Sequence, residues 1–226
     1  KALYWLPPEL NEHSKVVVSA LPEMEAQLND QTISHLPVLP VEDAEQILER
    51  WLTSIQRKLT PDQQQEVINK FRHTALPIFL KLSFERAKHW HSYTTDFTLQ
   101  ESVEGIINNF IDLLEEEHSA KMVQDVICFM LCGRYKGLAE NEILEVLIFN
   151  QEDKKAFIEM THPDHQDELL DMTQIPIVFW SRLFLDLEPF LTERDADGVP
   201  IITFFHRQFN EVLGKRYGLF DETEVD

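Results

Sequence analysis

From residue 41 onward, apolar residues recur at every third or fourth position, the spacing of one helix face. Val41–Leu59 sets Ala44, Ile47, Leu48, Trp51 and Ile55 on one side. Thr60-Pro61 reads as a helix start, with threonine as cap and proline in the first turn. The helix that follows carries Val67, Ile68 and Phe71. Leu76-Pro77 restarts the chain ahead of Ile78, Phe79, Leu82 and Phe84. Val103, Ile106, Ile107, Phe110, Leu113 and Leu114 form a further three-four repeat. Short links between these segments predict a compact helical bundle.

Past His118 the pattern changes. Met122–Leu131 is almost wholly apolar, as a core helix requires, and Gly133–Leu138 reads as a turn. Ala139–Ile148 predicts a short helix with acidic residues outward, and Asn150–Ile175 a polar loop with a short helix. Ile177–Phe190 predicts a helix bearing Phe179, Trp180, Leu183, Phe184 and Leu187. Two apolar runs then flank Asp197-Gly198, a hairpin signal. An amphipathic helix with Phe209, Val212 and Leu213 closes the pattern. Helices followed by a late hairpin and a last helix predict a winged-helix domain. Near the start, Lys15-Val-Val-Val-Ser19 is a β-branched run that predicts a buried strand. One strand makes no sheet, so its neighbours are expected before residue 1. Ser34–Pro40 reads as an extended linker.

Composition narrows the functional classes. Forty acidic against twenty basic residues among 226 give a formal charge of −20. Nucleic acid and anionic membrane both need clustered Lys and Arg, so neither is an expected partner. No apolar run approaches the ~20 residues of a membrane span. Cys128 and Cys132 lie four apart in an apolar helix, a poor disulfide geometry. Buried free thiols and a cytoplasmic location are expected.

Candidate chemistry is sparse. Pro200-Ile-Ile-Thr-Phe-Phe-His206 is an apolar strand ending on a histidine that opens a helix. Unpaired amides there favour anions, and imidazole can donate to a phosphate near neutral pH. The plainer reading of His206 is a helix cap. His162-Pro-Asp164-His165-Gln-Asp167 and His89-Trp-His91 offer metal-ligand types without a spacing that makes them converge. Glu115-Glu-Glu117 reads as a solvated face or a site for a basic partner. The groove-facing helix of the expected winged-helix domain would carry Glu140, Glu142 and Glu145, which repel phosphate.

Three segments, in order, resemble the second half of a NACHT-type nucleotide switch of the STAND class, in the branch upstream of WD or TPR repeats. Trp5-Leu-Pro-Pro-Glu with Lys15-Val-Val-Val-Ser19-Ala-Leu-Pro-Glu is similar to the last core strand of the nucleotide domain, with Ser19 at the sensor-1 position. Thr74-Ala-Leu-Pro77-Ile-Phe-Leu is similar to the Gly-Leu-Pro-Leu element, whose proline packs on adenine. Phe204-Phe-His206-Arg-Gln-Phe is similar to the winged-helix histidine motif, whose imidazole contacts the ADP β-phosphate. Two positions depart from the family: Ala20 follows Ser19 where many relatives have arginine, and Ala75 stands in place of glycine. The chain contains no Gly-x-x-x-x-Gly-Lys-Ser/Thr and no acidic pair ending an apolar strand.

The resemblance implies a mainly α chain: residues 1–33 a remnant of an α/β nucleotide-binding domain, 34–118 a helical domain, 119–217 a winged-helix domain and 218–226 a tail. It implies closure over ADP and opening on exchange for ATP, with Mg²⁺ held only in the full-length protein. ATP hydrolysis is not expected of these residues alone, although the full-length protein is expected to be an ATPase. Nucleotide contact through the missing domain would come from His206, Pro77 and Ser19. Protein partners are expected. The competing expectation is a plain protein-interaction module with no nucleotide role.

Overall fold

The computed structural model describes residues 11–20, 22, 33–149 and 177–219. The chain divides into two units, Lys1–Val38 and Leu39–Asp226. In the first unit, Lys15–Ser19 forms no ladder among the described residues, and Val17 is 97% exposed. The buried strand expected there is therefore not found. A β-branched run becomes a strand only where a neighbour takes its amides and carbonyls.

The second unit is mainly helical with a small antiparallel sheet. Its elements run α1 Val41–Ser54, α2 Pro61–Thr74, α3 Pro77–Ala87, α4 Val103–Glu117, α5 Ala120–Cys132, β1 Gly137–Leu138 and α6 Glu140–Phe149. They continue with α7 Ile177–Leu187, a 3₁₀ turn Glu188–Phe190, β2 Leu191–Ala196, β3 Val199–Phe204 and α8 Arg207–Arg216. The loop expected at 150–175 and its His162–Asp167 cluster lie outside the described residues.

Local chemistry sets the helix starts. Thr60 Oγ1 accepts the Gln63 amide (3.3 Å) while Gln63 Oε1 accepts the Thr60 amide (3.0 Å). This reciprocal box satisfies two donors that α2 would otherwise leave open. Gln63 Nε2 also donates to the His91 carbonyl at 2.8 Å, which ties α2 to the loop beyond α3. Ser102 Oγ and Ser119 Oγ cap α4 and α5 by accepting the Gly105 and Met122 amides, without the reciprocal bond. Helix α1 stops at Ser54, short of the expected Leu59, and Gln56 turns left-handed (φ 56°). Ile55 is consequently exposed, while Leu52 takes a core position that the spacing did not assign.

One apolar core runs from α1 to α8 and includes Leu48, Phe71, Phe79, Ile107, Ile127, Trp180 and Phe209. Helix α4 packs on α3, α5 and α8. Cys128 and Cys132 are free, but Cys132 is exposed and Cys128 half-buried. The core side of α5 belongs to Val123, Val126, Ile127, Met130 and Leu131. The cysteines fall on the other side of the turn, contrary to the buried thiols expected. Burial still pushes the Cys128 thiol up to about 11, which makes it a poor nucleophile.

The sheet has the order β1-β3-β2. Asp197 (φ 55°) and Gly198 (φ 85°) both lie in the left-handed region, as a tight hairpin turn between right-twisted strands requires. Gly133–Leu138 is more than a turn: Gly137 and Leu138 pair with Thr203 and Ile202. A Cβ at Gly137 would lie 2.5 Å from the Ile202 carbonyl oxygen, so the ladder closes only on glycine.

Candidate functional site

His206 sits between β3 and α8 as the N-cap of α8, with extended backbone (φ −128°, ψ 135°). Around it the aromatic side chains are locked. Phe204 stacks on Phe209 (centroids 5.1 Å apart, planes at 4°), Phe190 lies 5.3 Å from Phe209, and Phe110 meets Phe190 edge-on at 4.5 Å. The Phe205 amide donates to the Phe190 carbonyl at 3.0 Å, which extends the hairpin to the residue before the histidine. The position of His206 is therefore fixed by strand, helix and core together.

Its tautomer follows from one bond. His206 Nδ1 accepts the Gln208 amide at 3.3 Å. A nitrogen that accepts cannot carry the proton, so the neutral ring holds its hydrogen on Nε2. Burial, with the Arg207 charge beside it, lowers the imidazole pKa; Glu211 opposes weakly. The ring is thus a neutral Nε2–H donor near pH 7.

At its far end α8 is clamped to α4. Arg216 Nη2 reaches Asp112 (2.7 Å) and Glu115 (2.8 Å), and Tyr217 Oη donates to Glu115 at 2.9 Å. Burial and the bond to Glu115 raise the Tyr217 pKa and keep it a donor. Glu115 is accordingly a structural partner and not part of a solvated face; Glu116 and Glu117 are exposed.

Pro77 is the first residue of α3 and is exposed. The turn before it is left-handed at Ala75 (φ 50°), whose amide donates to Phe71 and whose carbonyl accepts the Leu39 amide. This is the position where the resembled element has glycine. Helices α3 and α8 both pack on α4, but no hydrogen bond or ring contact joins Pro77 to His206. Ser19 is exposed and lies in the other unit.

The acidic start of α6 has structural work. Glu142 Oε2 accepts the Ala139 amide (2.9 Å), and Glu140 Oε1 accepts the indole N–H of the fully buried Trp180 (2.8 Å). Residues far apart in sequence also bring Glu117, His118 and Asp186 within reach of a shared ion. His118 Nε2 and Asp186 Oδ2 are 2.7 Å apart, an ordinary His–carboxylate bond to a partly exposed acid. His89 and His91 do not converge: His91 stacks on Tyr93 at 5.0 Å.

No family model matches the chain, and no solved structure does. Curated proteins do. The mouse NACHT domain- and WD repeat-containing protein 1 is 26% identical over 94% of this chain. The human NACHT and WD repeat domain-containing protein 2 is 25% identical over 100%, and the human NACHT domain- and WD repeat-containing protein 1 is 27% identical over 76%. The chain spans only 14%, 13% and 11% of their respective lengths. Along most of its length the chain is thus similar to one segment of the NACHT and WD repeat-containing proteins.

Proposed function

We propose that this chain is the regulatory part of a nucleotide-dependent switch that closes over ADP and opens on exchange for ATP. The observation that carries the reading is the fixed tautomer of His206. A neutral Nε2–H donor, held on a rigid strand-to-helix junction, suits an acceptor such as the β-phosphate. In this reading Pro77 offers adenine an exposed apolar ring without an amide donor. Ser19 would stand at the end of the sensor strand, which would form only against strands of the nucleotide domain. These groups would complete a nucleotide site and not constitute one. Phosphate cradle and Mg²⁺ ligands need other residues, so hydrolysis by this segment alone is not proposed.

Residues 119–217 are read as a winged-helix unit and 34–118 as the helical domain that precedes it. The order α5, β1, α6, α7, β2, β3, with β1 pairing β3, supports the first. The acidic start of α6, partly spent on Trp180, argues against a DNA-reading role. The WD repeats in the relatives' names favour protein partners, and the free thiols of Cys128 and Cys132 favour a cytoplasmic setting.

The cap bond equally favours a second reading, a protein-interaction module in which His206 only terminates a helix. The two separate in the intact protein. His206→Asn keeps a capping acceptor but displaces the donor, so a faster ADP off-rate with unchanged stability supports the switch. An unchanged off-rate supports the module.

A further inference from the structure

Helix α4 has two differently used faces. One, with Glu104, Asn108, Asp112 and Glu115, is covered by Lys215 and Arg216 of α8. The other lines an open cleft of about 320 Å³ together with the end of α3 and the α7–Phe190 segment. Phe110, Leu113, Leu114 and Phe190 make the cleft apolar. Leu185 lines it and is 62% exposed. The volume lies at the small end of ligand pockets, ~300–1,000 Å³. A small, open, apolar cleft with so exposed a leucine in its lining suits a side chain carried by a larger partner better than a free small molecule.

Charge selects the partner. Glu117 and Asp186 both line the cleft and lie near each other; Asp186 already meets His118 at 2.7 Å, and Glu117 ends α4, where the helix dipole is already negative. Lys88, which also lines the cleft, is committed to Glu85 at 2.6 Å. Arg86 alone among the cleft's described cations has no ion pair. The whole chain carries −20. Neither Pro77 nor His206 lines this cleft, so it stands apart from the nucleotide reading.

We propose that the cleft docks a helix of a partner protein, which inserts one large apolar side chain against Phe110 and Leu113 and sets a Lys or Arg against Glu117 and Asp186. Helix-in-groove recognition places such anchors on neighbouring turns of the partner. The apolar anchor supplies affinity, and the charge pair supplies register and on-rate.

The test uses the intact protein and two fluorescein-labelled helical peptides of equal charge, one of Leu and Lys in amphipathic order, the other with every Leu replaced by Ser. Anisotropy is read at ~0.15 M salt, where exposed charges beyond ~8 Å are screened. The Leu/Lys peptide is expected to bind at least about tenfold tighter than the Ser/Lys peptide. Leu185→Ser and Glu117→Lys should each loosen it about tenfold. Glu193→Lys, the same charge change on exposed β2, should not. All three positions are exposed, and equal melting temperatures will show that the fold is kept. Equal binding of the two peptides, or equal loss from Glu193→Lys, would reduce the effect to bulk charge and overturn the proposal. Self-association of the protein that Leu185→Ser abolishes would give the cleft to a second copy and overturn it as well.

Discussion

The buried indole N–H of Trp180 donates to the carboxylate of exposed Glu140 at 2.8 Å. This bond gives a polar partner to a ring that is 0% exposed in the core and ties α7 to α6. Trp180→Phe removes the donor and part of the ring volume. A core loss of about 2–3 kcal/mol is expected, since cavity and transfer costs add. Glu140→Gln keeps an acceptor and should cost less than about 1 kcal/mol. Urea unfolding of both variants checks the order. Equal losses would assign the effect to Glu140 and not to packing.

Gly137 is the close point of the β1–β3 ladder. Its absent Cβ would stand 2.5 Å from the Ile202 carbonyl oxygen and 3.1 Å from the Thr203 Cβ. Backbone must therefore shift in Gly137→Ala, at a cost of about 1–3 kcal/mol, the range for forced overpacking. The equivalent change at Gly198 meets no atom within 4 Å, but its φ of 85° is strained for any side chain. Gly137→Ala should also speed amide exchange at Thr203, whereas Gly198→Ala should weaken the hairpin turn alone.

What the sequence showed and what it hid divides along the range of the interaction. Asp197-Gly198, Thr60-Pro61 and His206 were legible because a turn, a cap and a strand-to-helix junction are written in adjacent residues. β1 was not, because a two-residue strand has no period and exists only through Thr203 and Ile202. Cys132 was misjudged by residue type; its angle on α5, set by Met130 and Leu131, decides its exposure. At the candidate site the histidine was visible, but its tautomer depends on where the Gln208 amide points. Glu117 and Asp186 meet only after α4 and α7 fold together. No local pattern announces the cleft between them.

Ala75 is a left-handed residue with a Cβ (φ 50°). Such a conformation costs an L-residue about 1–2 kcal/mol, while glycine gives back part of that in chain entropy. Ala75→Gly is therefore expected to stabilise the protein by a few tenths to about 1 kcal/mol. A loss of stability in chemical denaturation would show that the Ala75 methyl, which packs against the core, outweighs the strain.

Pro77→Ala changes an exposed first-turn residue, so its effect on folding should stay below about 1 kcal/mol. If the ring packs on adenine in the intact protein, nucleotide affinity should fall by more than the stability does. Titration with ADP beside a melting curve compares the two. Unchanged affinity would leave Pro77 as a helix start only.

The pH dependence of His206 gives the sharpest separation of its two roles. Its folded pKa lies below the ordinary 6.5, chiefly through burial and then Arg207. The unfolded state therefore takes up the proton first as pH falls. The contribution of neutral His206 is fully present above 6.5 and is lost as pH drops through the lower folded value. Protonation at Nδ1 also removes the acceptor for the Gln208 amide, so the start of α8 should fray in the same window. His206→Asn retains a cap and should flatten that part of the stability profile. His206→Leu loses the cap and should cost about 1 kcal/mol at neutral pH. Bound ADP would act in the opposite sense. A phosphate beside Nε2 favours imidazolium, so the histidine pKa measured by NMR in the intact protein should rise on ADP addition. A histidine pKa that stays low with saturating ADP would mean that no phosphate approaches the ring, and His206 would then be a cap alone.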